Sequence, residues 1–251
     1  MCDIWKKPPG EEMSLEKIRD AFAQIPAIKT VRLTGGEPFS RKDLPAIVEI
    51  IKKYTATELI HITTNGLLPE TITEFIKNSS CKGIHIKVSL TGYMEHHDQT
   101  LQYPGAYQKA IETIETLKRL QNKYNFVLGV NHTITDRISY ADSEKIRKVC
   151  EKYNLPYLPV IAYQSVDLYQ EKHTSTGNKS TSFQCYGNFT ENELKIILKD
   201  LIDSTRNIDN LIEKIVKRYY LIGLYNRLIL KRSFPSPQCV ALRNHIRILP
   251  N

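Results

Sequence analysis

Over the first 160 residues, short β-branched apolar runs alternate with longer stretches of helical period. The runs Thr30–Thr34, Leu59–Thr63, Gly83–Leu90, Phe126–Thr133 and Tyr157–Ala162 predict strands. Between them, Ser14–Gln24, Arg41–Tyr54, Pro69–Lys77, Ala106–Tyr124 and Tyr140–Tyr153 predict helices. Ser14 with Glu16 in the first turn, and Ser40 ahead of Asp43, supply start signals. Strands apolar almost throughout need cover on both faces, which is the pattern of parallel βαβ units. A doubly wound sheet and an α/β barrel both satisfy it.

Polar and small residues gather just after these strands: Thr34-Gly35-Gly36-Glu37, Thr63-Thr64-Asn65-Gly66, Ser89 to Gly92, and Asn131-His132-Thr133. In parallel α/β folds the C-terminal strand ends form the ligand face, so four such clusters point to one shared site. The regularity stops after Ala162. Tyr163 to Asn188 is polar, without apolar period, and predicts a long loop, functional or disordered. Thr190-Glu191-Asn192-Glu193 matches a capping box that opens a helix to about Ser204. A second helix, roughly Ile208 to Arg232, is apolar on more than one side and requires cover; Pro235 and Pro237 end it.

Composition adds three constraints. The chain is 41% hydrophobic and 25% charged, which suits a globular protein with one large core. Its net charge of +8 resides entirely after Glu213, in Lys214, Lys217, Arg218, Arg227, Lys231, Arg232, Arg243 and Arg247, with no acid among them. Such a segment attracts phosphates, nucleic acid or anionic lipid, or completes a charge pattern whose acidic half lies elsewhere. No signal peptide is evident, and the greasy run Tyr219 to Leu230 is too short to span a bilayer, so a cytoplasmic location is expected. Five dispersed cysteines give no disulfide framework and fit a reducing compartment; Cys81 and Cys150 read as small buried hydrophobes.

The sharpest local signal is Thr34-Gly35-Gly36-Glu37-Pro38, between a strand and a helix. Paired glycines let backbone approach a ligand, and Pro38 sets the chain direction. Exposed carbonyls with the Glu37 carboxylate suit a cationic ligand rather than a phosphate; the plainer alternative is a tight β-to-α turn. The string resembles the GGEP motif of radical S-adenosylmethionine (SAM) enzymes. Met1-Cys2-Asp3-Ile4-Trp5-Lys6 resembles the end of that family's CxxxCxxC loop, with Cys2 as the third cysteine. Thr63-Thr64-Asn65-Gly66 is similar to its third-strand end. Val88-Ser89-Leu90 with Gly92, His97-Asp98 and Pro104-Gly105-Ala106-Tyr107 resembles the next segment, with Thr91 where the family carries Asp. The resemblance covers about Met1 to Ala162.

The resemblance implies a partial (β/α)6 TIM-like barrel followed by a helical linker. It also implies a 4Fe-4S cluster on three thiolates, one of them Cys2, that binds SAM and cleaves it to a 5′-deoxyadenosyl radical. By residue match, Gly35, Gly36 and Glu37 would meet the SAM ammonium, with Pro38 in the same loop, and Asn65 and Ser89 would meet its ribose or carboxylate. An electron donor such as ferredoxin or flavodoxin would supply the electron. No cysteine precedes Cys2, so Met1 reads as an internal residue of a longer protein, and this chain alone is expected not to hold a stable cluster. Cys239 and the residues to Asn251 resemble the start of a SPASM or twitch region, making Cys239 a candidate auxiliary-cluster ligand. Cys185, in the long loop, is a candidate hydrogen donor or auxiliary ligand against a plain loop thiol.

His132 is expected to face the site, or to be a satisfied polar residue. His96, His97 and Asp98 are expected not to form a metal site, because adjacent side chains diverge. The domain reading is residues 1–189 as barrel core, 190–233 as helical linker and 234–251 as the start of the Cys-rich region. The expected function is radical SAM modification of a peptide, cofactor precursor or other small molecule. Two alternatives are an RNA-modifying radical SAM enzyme, motivated by the basic C-terminal segment, and a cluster-free binding or scaffold domain.

Overall fold

The computed structural model describes residues 12–25, 27–79, 82–164, 184–185, 189–208, 210–232 and 235. Cys2, Cys81 and Cys239, and the side chain of Cys185, lie outside the described residues. Two compact units divide the chain, one holding residues 12–134 and 141–160, the other 135–140 and the residues from 161 to 235.

In chain order the first unit runs α1 (Leu15–Ala23), β1 (Thr30–Leu33), α2 (Leu44–Tyr54), β2 (Leu59–Thr64), α3 (Pro69–Asn78), β3 (Ile84–Leu90), α4 (Glu95–Leu101), α5 (Ala106–Leu120) and β4 (Phe126–Ile134). There follow α6 (Arg137–Ala141), which lies mostly in the second unit, α7 (Ser143–Lys152) and β5 (Tyr157–Ile161). The sheet order is β1-β2-β3-β4-β5, with β1–β2, β2–β3 and β3–β4 parallel. This is an α/β half-barrel, the one of the two arrangements left open by the run of βα units that the family resemblance implies.

Alternation along the strands decides which face is covered. Ile60 and Ile62 on β2, Ile84, Ile86, Val88 and Leu90 on β3, and Leu128 and Val130 on β4 are all at most 1% exposed. They form one cluster with Ile47, Val48 and Ile51 of α2, Ile72 and Ile76 of α3, Ile114 and Leu117 of α5, and Ile146 of α7. Each such side chain contributes about 1.5–3 kcal/mol by leaving water. The alternate positions His61 and Thr63 on β2 and His85, Lys87 and Ser89 on β3 carry polar groups and turn away from the helices. Cys150 is 1% exposed in the same core, and burial pushes its thiol up to about 12, as expected of a small hydrophobe.

Local differences from the expected elements have readable causes. Ser40 does not cap α2. Pro38–Ser40 instead form a 3-10 turn in which the Ser40 hydroxyl donates to the Glu37 carbonyl (2.6 Å), and Arg41 stays extended. Arg41 pairs with Asp43 (2.5 Å) and donates to the Met13 carbonyl (2.6 Å), so the helix starts at Leu44. The helix expected over Tyr140–Tyr153 is broken at Asp142, whose carboxylate accepts from the Tyr93 amide (2.9 Å) and lies 3.2 Å from His96 Nδ1. The short α4 has no apolar period long enough to be seen in sequence.

In the second unit, β6 (Tyr163–Gln164) and β7 (Gln184–Cys185) pair antiparallel inside the segment expected to be loop. The helices α8 (Glu191–Ser204) and α9 (Leu211–Leu228) follow. The Thr190 capping box forms as expected, with Glu193 N–H donating to Thr190 Oγ1 (3.3 Å) and Thr190 N–H donating to Glu193 Oε2 (2.8 Å). Leu194, Leu198 and Ile229 form a small core. Ile212, Val216 and Tyr220 of α9 are more than half exposed, so cover for its second apolar side is not found among the described residues. None of the helices of the described residues is long and apolar enough to cross a membrane.

His97 is fully buried, and desolvation drops its pKa to about 4. The native state therefore binds fewer protons than the unfolded chain between 6.5 and about 4. The sign gives stability that is present at neutral pH and lost as pH falls through that window, roughly 2–3 kcal/mol. Urea unfolding of wild type and His97→Gln at pH 7 and pH 4.5 checks this: the variant should show a visibly smaller difference between the two pH values.

Candidate functional site

At the C-terminal end of β1 the chain passes through Thr34, Gly35 and Gly36, all exposed. Gly35 takes φ +152°, a conformation that side-chain-bearing residues rarely adopt. A Cβ placed on Gly35 or Gly36 would meet nothing within 4 Å. Packing among the described residues therefore does not demand glycine at Gly36. The pair leaves bare backbone beside open space.

Glu37 ties this loop to the end of β2. Its Oε1 accepts from the Thr64 hydroxyl (2.8 Å) and the Phe39 amide (3.2 Å), and its Oε2 accepts from the Asn65 amide (2.7 Å). Thr64 Oγ1 in turn accepts from the Gly66 amide (3.0 Å), and Asn65 Oδ1 accepts from the Leu67 amide (2.9 Å). The α5 residue Thr113 donates its hydroxyl to the Gly66 carbonyl (2.7 Å). One carboxylate and two threonines thus hold the ends of β1 and β2 and the adjoining loop in one arrangement. Burial outweighs these three donors and raises the Glu37 pKa above its ordinary 4.5.

Ser89 lies on β3 directly across from Asn131 of β4, on the face turned away from the helices. Asn65 follows the last residue of β2 at the same end of the sheet. Gly35, Gly36, Glu37, Asn65 and Ser89 are therefore gathered at the strand ends, and Pro38 opens the turn beneath them. Three residues near these strand ends serve the fold. His132 does not face the site: it is buried on the helix side, with Nδ1 2.8 Å from the Tyr157 hydroxyl, because its register places it on the covered face. Thr91 stands where the family carries Asp. It is buried, its amide donating to His97 Nδ1 (3.1 Å). Asp98 accepts from the Gly105 (2.7 Å) and Tyr107 (2.7 Å) amides and so caps the start of α5. Among the described residues no set of three His, Cys, Asp or Glu side chains is grouped to hold a metal ion.

Residues 1–143 match the family model described as the radical SAM superfamily. The chain belongs to the radical SAM superfamily. Among curated relatives, it is 34% identical over 110 residues to the probable GTP 3′,8-cyclase of Archaeoglobus fulgidus, covering 43% of this chain and 35% of that one. It is 26% identical over 188 residues to the probable GTP 3′,8-cyclase of Methanococcus vannielii, covering 73% and 61%. The chain thus spans between about a third and three fifths of these relatives' length. A solved structure of native anSMEcpe with bound AdoMet matches at TM-score 0.53 and 15% identity, over 88% of this chain and 59% of that one; at that identity the likeness is one of fold. Family membership implies SAM and a 4Fe-4S cluster as cofactors.

Sequence reasoning missed the Thr64–Glu37–Asn65 brace, although all three residues stand inside strings it singled out. It also missed the character of the open sheet face, where Arg32, His61, His85 and Lys87 sit on three adjacent strands. Their alternation with buried isoleucines was the available signal.

Proposed function

We propose that Gly35, Gly36, Glu37, Pro38, Asn65 and Ser89 bind SAM, and that the protein with its complete cluster cleaves it to modify a peptide, cofactor precursor or other small molecule. The carrying observation is the bare Gly35-Gly36 backbone beside open space, held by a braced Glu37. SAM fits this donor set. Backbone carbonyls and a half-buried carboxylate suit its ammonium, and a nearby positive charge offsets the desolvation that raises Glu37. Asn65 spends its amide oxygen on Leu67, which leaves the Nδ2 donors for a ribose or carboxylate oxygen, and the Ser89 hydroxyl can serve the same atoms.

Bound at a reduced 4Fe-4S cluster, SAM supplies hydrogen-atom abstraction from an otherwise unreactive carbon. Cys2 is assigned to that cluster and Cys239 to an auxiliary one. Cys185 is assigned as hydrogen donor or auxiliary ligand, and a ferredoxin or flavodoxin as electron source. The basic residue Arg218, on which the RNA reading draws, donates to the Ile202 carbonyl at the end of α8 (3.2 Å), so part of that charge already serves the fold.

The test is SAM titration of the full-length protein, reconstituted anaerobically with iron and sulfide, followed by assay for 5′-deoxyadenosine. Gly36→Val fills the open space without striking the fold. It should keep the thermal midpoint while weakening SAM at least about tenfold, the loss of roughly one charge-assisted hydrogen bond. Equal SAM affinity in wild type and variant would remove the site from this loop.

A further inference from the structure

The face of the half-barrel turned away from the helices carries a cationic group that the SAM site does not use. The strand register sets Arg32 of β1 beside His61 of β2, and His61 beside His85 of β3. Lys87 stands one pleat closer to the ligand end, across from Thr63 and Gly129. The His61 and His85 rings meet edge to face with centroids 4.7 Å apart. No hydrogen bond or ion pair engages Arg32 or Lys87 among the described residues, and no carboxylate side chain stands on this face of β1 to β4. His61 Nδ1 is buried and has no hydrogen-bond partner there.

Stability alone does not account for this. Basic groups gathered on one sheet face with no acid among them are unfavourable, and the interior of an α/β barrel is ordinarily filled by branched apolar side chains. Burial and the neighbouring charges depress Lys87 and take His61 down to about 4, so the cluster is held at a cost that an anion would remove. Every ionisable group facing His61 from its own and adjacent strands is basic: Lys87, His85 and Arg32. Beside Lys87 the β4 position is Gly129, which sets no side chain of its own against the ammonium. Thr63, Ser89 and Asn131 add neutral polar groups around it.

We propose that Arg32, His61, His85 and Lys87 bind the oxyanion of a small-molecule substrate, a phosphate or a carboxylate, on the open face of the half-barrel. The proposal rests on the SAM reading only for calling the ligand a substrate. Lys87 lies two residues before Ser89 and His85 four before, so the anion would sit about 7–13 Å below the SAM-facing row. That distance leaves the rest of the molecule within reach of the cofactor.

The experiment titrates the full-length protein, without SAM, with inorganic pyrophosphate in one arm and citrate in the other. Heat of binding and the His61 and His85 ring proton resonances are followed. Saturable binding of either anion is expected; the arm that binds more tightly says whether the oxyanion is phosphate or carboxylate. Lys87→Met and the exposed Arg32→Gln should each weaken it about tenfold, while Lys109→Met on the outer surface of α5 should change it less than about twofold. Bound anion should raise the His61 titration above its free value. Absence of saturation in both arms, variants that bind as wild type, or an unmoved His61 would overturn the proposal. SAM titration of the same variants separates the two readings. Lys87→Met should still bind SAM, and Gly36→Val should still bind the anion.

Discussion

Glu37→Ala should abolish measurable SAM binding and lower the stability of the first unit by about 2–4 kcal/mol. The carboxylate accepts from the Thr64 hydroxyl and from the Phe39 and Asn65 amides, and alanine leaves all three without their acceptor. The loss reaches further than one contact, because the Thr64 hydroxyl positioned by Glu37 also receives the Gly66 amide. Glu37→Gln should fall between, since its amide retains one acceptor oxygen and points its NH2 at a donor. Urea unfolding and SAM titration of both variants measure the two effects. A Glu37→Ala protein with wild-type stability would show that the brace is dispensable. The sign of the pH effect also follows. The native state holds the Glu37 proton to higher pH than the unfolded chain, so wild-type stability should decline as pH rises just above 4.5, and Glu37→Gln should lack that slope.

Gly66→Ala should cost about 2–4 kcal/mol, which for a unit of this size lowers the thermal midpoint by about 5–12 °C. Two causes add. Gly66 takes φ +74°, and its Cβ would stand 2.9 Å from Val88 Cγ1 and 3.2 Å from the Ala110 Cα. The second contact is backbone of α5 and cannot rotate away. Because Thr113 fixes the Gly66 carbonyl, any shift that relieves the clash also moves Asn65, and SAM affinity should fall with stability. Scanning calorimetry with a SAM titration reads both. Val88→Ala in the Gly66→Ala background should recover only part of the loss, since it removes the side-chain clash and leaves the backbone strain.

The strand positions were legible because β-branched runs bounded by polar clusters mark them, but Ile60, Ile62, Ile84 and Ile86 alternate with polar residues, so only one face has the apolar cover expected of both. The capping box at Thr190 was equally local, needing only residues three apart. Ser40 misled for the same reason. Its spacing fits a cap, but Arg41 is drawn to Asp43 and to the Met13 carbonyl 28 residues away, and no local rule contains that contact. The position of His132 near a strand end left two readings open, a site-facing group or a satisfied polar residue, and the structure takes the second. The parity of β4 turns it instead toward the helices, and parity is fixed by pairing with β3 rather than by composition.

The sequence by itself determined the run of parallel βα units and the Gly35-Gly36-Glu37-Pro38 loop, because these depend on residue types at short, regular separations, and its motifs carried the resemblance that implied the superfamily and its half-barrel. Only the tertiary structure decided what the loop is fastened to and what the open face offers. Glu37 meets Thr64 and Asn65 across 27 and 28 residues of chain, and Arg32, His61, His85 and Lys87 become neighbours only when three strands align in register. Contacts of that range are selected by the packing of whole elements, so no local pattern announces them.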